Sequence, residues 1–170
     1  MQTPKHHVLF LDFDGVLHPD AVYLSRNGPA LRSDGELFMW ALKLETVLGQ
    51  FPTVSLVLST SWVRHLGFKR ATKYLPPALA SRVVGATWHS SMAKEWPGDE
   101  KWDGRTRYQQ ISRYASRAQL SSWISVDDDS EGWPPAAADH LVTCDPMMGL
   151  GDAPTLRVLE KRLSEMVSTS

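Results

Sequence analysis

Cysteine is almost absent: Cys144 is the one thiol in 170 residues. That excludes an intramolecular disulfide framework and any multi-cysteine zinc site, and it suits a reducing compartment. An excess of charge of one sign is missing too. Eighteen Lys and Arg stand against nineteen Asp and Glu, for a net charge of −1. There is thus no bulk attraction to nucleic acid or to an anionic membrane, and any polyanion would have to be held locally. No apolar run reaches the roughly 18 residues of a membrane-spanning helix, and Met1 to His7 has neither the basic start nor the apolar core of a secretory signal. Repeats, low-complexity tracts and Gly/Ser-rich linkers are also lacking. What remains is an ordinary globular composition, 42% apolar and 22% charged. The length suits a single domain over residues 1–170, able to bury roughly 68–70% of its unfolded surface. The expectation is a soluble, cytoplasmic protein with no membrane partner.

Short apolar runs alternate with helical periodicity along the chain. Residues 7–11 (HVLFL) and 54–58 (VSLVL) read as buried strands, each stopping at a polar cluster. Residues 82–87, 123–126 and 140–144 are shorter strand candidates. Ser33 to Glu36 has capping-box spacing ahead of Leu37, Trp40, Ala41, Leu44, Val47 and Leu48, which predicts a helix running to Gly49. Further helices are expected from about Trp62 to Tyr74, from Thr106 to Gln119, and from the Asp152 cap to about Met166. Pro19 to Arg32 and Trp88 to Asp103 read as loops. Strands alternating with helices imply a doubly wound, Rossmann-like α/β domain, a parallel five-stranded sheet with helices on both faces. In such sheets ligands bind beyond the carboxyl ends of the strands, where Asp12, Ser59-Thr60 and Asp127-Asp128 fall.

Asp12-Phe13-Asp14-Gly15 closes the first strand with two carboxylates one residue apart, which would share a side if strand geometry persisted. Such a pair repels unless a cation compensates it or the two share a proton. The alternative is an Asp-rich turn. Asp127-Asp128-Asp129 closes another apolar strand at the same sheet edge. Two acidic clusters there suit a hard, oxygen-ligated cation, with Mg²⁺ the natural candidate.

The chain resembles the haloacid dehalogenase superfamily of phosphohydrolases, and more closely its branch of domains described from RNA-repair proteins. The resemblance runs from about Val8 to Leu163. It rests on residues 9–19 (LFLDFDGVLHP), 56–62 (LVLSTSW), 107–111 (RYQQI), 126–129 (VDDD) and Gly149-Leu150. It implies Asp12 as the nucleophile that forms an aspartyl-phosphate, and Asp14 as the acid/base residue. It also implies Mg²⁺ held by Asp12, the backbone carbonyl of Asp14 and Asp127, with Asp128 supporting that shell. Thr60 matches the phosphate-holding hydroxyl, with Ser59 and Ser61 close competitors and an ordinary helix cap as the alternative. A phosphoryl dianion among carboxylates also needs a basic side chain. Arg107 is the choice, with Arg105, Lys101 and, more distantly, Lys94 as rivals.

Other residues carry less. His18 lines the pocket or is a plain loop histidine. His140 and Cys144 lack the two further ligands of a zinc site. Arg64 touches a phosphate or is a surface charge. Trp40 and Trp123 fit core positions, whereas Trp88, Trp96, Trp102 and Trp133 anchor loops or stack on a base. The spaces where relatives insert a cap are each only about 45 residues and are filled by the elements above, so no separate cap domain is expected. The expected activity is a Mg²⁺-dependent phosphatase on a phosphate monoester, small molecule or nucleic-acid end. The alternative is a non-catalytic, metal- or nucleotide-binding regulatory module of the same fold.

Overall fold

The computed structural model describes residues 7–90 and 102–169. Strand β1 (His7–Leu11) is buried along its whole length. A hairpin follows, β2 (Val22–Ser25) and β3 (Gly28–Leu31), then α1 (Ala41–Leu48), β4 (Val54–Leu58), and the short helices α2 (Ser61–Leu66), α3 (Phe68–Thr72) and α4 (Pro77–Ala80). The chain continues through β5 (Val83–Ala86), α5 (Arg107–Arg117), β6 (Ser122–Asp127), β7 (Leu141–Thr143) and α6 (Ala153–Ser168). The main sheet has five strands in the order β5-β4-β1-β6-β7, and its pairings are all parallel.

The alternation of β1 decides which helix covers which face. Val8 and Phe10 pack with Ile111 and Ala115 of α5. Leu9 and Leu11 point the other way, into a larger core with Leu44 and Leu48 of α1 and Leu159 and Leu163 of α6. Both faces of the sheet are therefore covered, which is why β1 and β4 read as continuous apolar runs rather than alternating ones. Each fully buried leucine of this kind is worth about 1.5–3 kcal/mol over an exposed one.

Several expectations shift on contact with the structure. The Ser33–Glu36 capping box does not form, and α1 starts at Ala41 with no side-chain cap. The reason is tertiary. The amide of Phe38 donates to His18 Nδ1 (3.1 Å) and that of Trp40 to the Leu17 carbonyl (3.0 Å), so the loop after β1 takes the groups that a helix start would use. The stretch from Trp62 to Tyr74 is not one helix, because Gly67 breaks it at φ 87°. Pro19 to Arg32 is not simply a loop, since it contains the β2–β3 hairpin. The fifth sheet strand is shorter than residues 140–144, with His140 closing a 3-10 turn instead. Of the expected loop from Trp88 to Asp103, residues 91–101 lie outside the described residues, and with them Lys94, Trp96 and Lys101.

Candidate active site

β1 lies at the centre of the sheet, where connections leave towards β4 on one side and towards β6 on the other. The parallel register sets Leu11 opposite both Leu58 and Val126. The next residues along the three strands are Asp12, Ser59 and Asp127, so the chemistry collects at the carboxyl edge where the winding reverses.

Asp12 and Asp127 are held in the same way. Asp12 Oδ1 accepts from the Phe13 amide (2.8 Å), and Asp127 Oδ1 from the Asp129 amide (3.0 Å). Their second oxygens face one cation. Arg107 Nε is 2.9 Å from Asp127 Oδ2, and Arg107 Nη2 is 3.7 Å from Asp12 Oδ2. The Asp127 contact is an ion pair without hydrogen-bond alignment, which leaves its buried Oδ2 short of a directed partner. Arg107 opens α5, whose first turn is closed by a reciprocal Thr106–Gln109 capping box.

Asp12, Asp127 and Asp128 each bring a carboxylate oxygen within 4.8 Å of the others. Gly15 makes this possible. It sits at φ 75°, and a Cβ there would run into the Asp128 carboxylate, so glycine is required for both backbone and space. The electrostatics show a cluster short of positive charge. Burial, then Asp127, pushes the Asp12 carboxyl well above its usual range, against the pull of Arg107. Burial likewise raises Asp127, opposed by Arg107 and the Asp129 amide. Asp128 is pushed up to about 7 by burial, then by Asp127 and Asp20. Burial works against the Arg107 charge, but Asp12 and Asp127 outweigh it and raise its pKa. An all-oxygen donor set with excess negative charge and an unsatisfied buried oxygen fits a hard divalent cation.

Strand geometry ends at Leu11 and the chain turns tightly through Phe13 to His18, so the spacing of Asp12 and Asp14 is no longer that of a strand. The Asp14 carboxylate lies outside the acidic cluster, so any part Asp14 has in holding a metal falls to its backbone carbonyl. Instead, Asp14 Oδ1 receives the His18 Nε2 contact at 2.8 Å and the Trp62 indole N–H at 2.9 Å. Since His18 Nδ1 accepts from the Phe38 amide, the ring proton sits on Nε2 and donates to Asp14. His18 is thus a fully buried support of Asp14 rather than a loop histidine. Sequence reasoning gave Trp62 no role, and only its indole donor hinted at one.

At the end of β4, the Thr60 hydroxyl caps α2 through the Trp62 amide (3.3 Å). The Ser59 hydroxyl is fully buried and has no hydrogen-bond partner among the described residues, while Ser61 opens onto two clefts. Arg64 and Arg105 line the larger cleft, of about 570 Å³, with Arg107. Cys144 is buried, with its thiol pushed up to about 12 by burial and the nearby carboxylates, and His140 Nδ1 donates to the Trp123 carbonyl (2.7 Å). Trp40, Trp88, Trp123 and Trp133 are partly buried against the two cores, and Trp102 is buried. Among the described residues no helix is long and apolar enough to cross a membrane.

A central parallel sheet with acidic residues at adjacent strand ends, and no separate cap domain among the described residues, defines a haloacid dehalogenase-like α/β fold. A family model for the HAD domain in Swiss Army Knife RNA repair proteins matches residues 8–154. The chain belongs to that family, which is of phosphohydrolase type. No curated protein matches the chain.

Proposed function

We propose that the protein is a Mg²⁺-dependent phosphatase that hydrolyses a phosphate monoester through an aspartyl-phosphate on Asp12. The observation that carries this reading is the division of labour among the acids. Asp12 is buried against Arg107, Asp127 and Asp128, while Asp14 is held apart by His18 and Trp62. The substrate is a small phosphorylated molecule or a nucleic-acid end, the latter favoured by the family's occurrence in RNA repair proteins.

Asp12, Asp127 and Asp128, with the Asp14 carbonyl, would hold the metal. When bound, it supplies the positive charge that the carboxylates lack and screens the substrate dianion from them. The chain's own residues do the rest. An Asp12 oxygen forms a bond to phosphorus as the ester P–O bond breaks in line with it, and the leaving oxygen takes a proton from Asp14. Oδ1 of Asp14 is occupied by two donors, so Oδ2 is the atom that exchanges that proton. A water then attacks phosphorus, gives its proton back to Asp14, and releases phosphate and Asp12. Arg107 reaches the carboxylates through Nε and one terminal nitrogen, and its other N–H groups meet no protein acceptor among the described residues. Those donors are available to the transferring oxygens. Ser59 supports the same oxygens as a candidate donor, with Thr60 and Ser61 the alternatives.

The test is phosphate release from 3′- and 5′-phosphorylated oligonucleotides, mononucleotides and small sugar phosphates, with and without Mg²⁺, and with Asp12→Asn as control. Release that needs both Mg²⁺ and Asp12 is expected. Release from no member would favour the non-catalytic binding module.

A further inference from the structure

Two clefts meet at Ser61, and they differ in which functional group they contain. The larger has Arg107 in its wall but not Asp14. The smaller, about 230 Å³, has Asp14 in its wall together with Ser61, Trp62, His65, Tyr23 and Leu24. In an in-line displacement the nucleophile and the leaving oxygen lie on opposite sides of phosphorus, and the proton donor must be within hydrogen-bond reach of the leaving oxygen. Whatever the leaving oxygen carries therefore lies on the Asp14 side.

We propose that this smaller groove is the leaving-group subsite, and that it receives a planar aromatic ring carried on the alcohol side of the scissile ester. The proposal rests on the phosphatase reading and specifies its substrate class. Three features carry it. The groove is smaller than the roughly 300–1,000 Å³ typical of whole-ligand pockets, so it suits one ring system rather than a chain of several groups.

Its inner wall is fixed. Trp62 is buried, donates to Asp14, and packs edge-on against Phe13, Phe38 and Tyr74 at 5.0–5.6 Å between ring centres. A ring lying on this wall is registered against the same carboxylate that must protonate its ester oxygen.

The outer wall is the β2–β3 hairpin, which leaves Tyr23 40% and Leu24 69% exposed. Arg32 sits over the Tyr23 ring, 4.7 Å from its centre, and steadies it without filling the groove. An aromatic and an aliphatic side chain, held facing a rigid indole wall and interrupted by few polar groups, suit a flat apolar ring.

The experiment uses the full chain with Mg²⁺ and compares kcat/KM for phenyl phosphate and nucleoside 3′- and 5′-monophosphates with that for glycerol phosphate. The ring-bearing substrates are expected to be favoured by about tenfold or more, and the ratio should fall towards one in Tyr23→Ala and Leu24→Ser. The nucleoside and phenyl arms tell a nucleobase from a simple aryl group. A ratio near one in the unaltered protein, or one that both variants leave unchanged, overturns the proposal while the phosphatase reading stands. The Trp62 indole N–H resonance, assigned through Trp62→Phe, gives a readout free of turnover. It should shift on adding adenosine or phenol and shift less in the two variants. If no substrate is hydrolysed and the resonance still shifts in this way, the groove stands and the phosphatase reading falls. If neither ligand shifts it, the groove assignment is refuted.

Discussion

Replacing Arg107 by methionine removes a cation that the structure sets between two buried carboxylates. Methionine keeps most of the length of the stem and none of the charge. Arg107 Nε lies 2.9 Å from Asp127 Oδ2, and Nη2 3.7 Å from Asp12 Oδ2. The side chains of Asp12 and Asp127 are 4% and 0% exposed, so water cannot take over from the lost guanidinium. Breaking a buried pair from one side costs about 3–5 kcal/mol, most of it the penalty of the charge left behind. For a chain of this length, each kcal/mol moves the melting temperature by roughly 2–4 °C. The expected loss at pH 7.5 without Mg²⁺ is therefore about 6–20 °C.

The pH dependence separates this cause from simple loss of packing. Asp12 and Asp127 already have pKa values in the folded state above the unfolded value, because burial outweighs Arg107. A carboxyl shifted upward stabilises the fold while protonated, and that stability is lost as pH rises through the folded pKa. Removing Arg107 moves both groups further up. The deficit of Arg107→Met should therefore be largest above the folded pKa values, shrink steadily as pH falls, and shrink again on adding Mg²⁺. Thermal melts at pH 5.0, 6.0 and 7.5, with and without Mg²⁺, check this. A difference below about 1 kcal/mol at pH 7.5, or one that grows towards acid, would refute the electrostatic account.

Asp12→Asn should lower phosphate release by at least about a thousandfold, yet raise the melting temperature of the metal-free protein at pH 8, since it removes a buried, crowded charge; calorimetry and a phosphate assay read the two effects. Gly15→Ala should cost about 1–3 kcal/mol, because the position has φ 75° and the new methyl would meet Asp128; it should also weaken Mg²⁺ binding by titration calorimetry, and unchanged affinity would contradict the role given to Asp128. Asp128, raised to about 7, should make the metal-free protein lose stability as pH rises from about 4 to 7. The shift alone would correspond to about 4 kcal/mol, and solvent screening of a half-buried group reduces it to on the order of 1–2 kcal/mol. Denaturant titrations across that range, compared with Asp128→Asn, should show the slope in the parent chain and its loss in the variant.

The central strands were legible because a strand buried on both faces leaves an uninterrupted apolar run, and β1 and β4 begin and end where those runs do. The strand ends in turn located Asp12, Ser59 and Asp127, since position beyond a parallel strand is a local property. Long-range contacts were not legible. Ser33 to Glu36 has the right spacing for a cap, but the amides of Phe38 and Trp40 are claimed by His18 and Leu17 from a different part of the chain. The hairpin has a local signal in the sequence, Asn27-Gly28 at the turn, with Gly28 at φ 107°, between short runs of Val22-Tyr23-Leu24 and Pro29-Ala30-Leu31. His18 could not have been told from a loop histidine, because its role depends on the Phe38 amide fixing one nitrogen and Asp14 taking the other.

An active site of the proposed kind must keep water from its nucleophile, and the usual device is a lid that closes over the substrate. Here the exclusion is built into the core. Asp12 is 3% exposed and Asp127 fully buried before any substrate arrives, because both sit at the ends of central strands with cores packed on each face. The consequence is a standing electrostatic cost. Carboxylates buried by the fold itself are never solvated, so they must be compensated by Arg107 and by a cation, or they take up protons. That is why Asp12, Asp127 and Asp128 all have raised pKa values. A lid would let the charge be desolvated only when substrate is bound. Permanent burial instead ties stability and cation binding together, so that metal affinity and the pH of half-destabilisation should move in concert across variants of Asp12, Asp127, Asp128 and Arg107. A variant that changed one without the other would show that the acidic cluster and the metal site are not the same object.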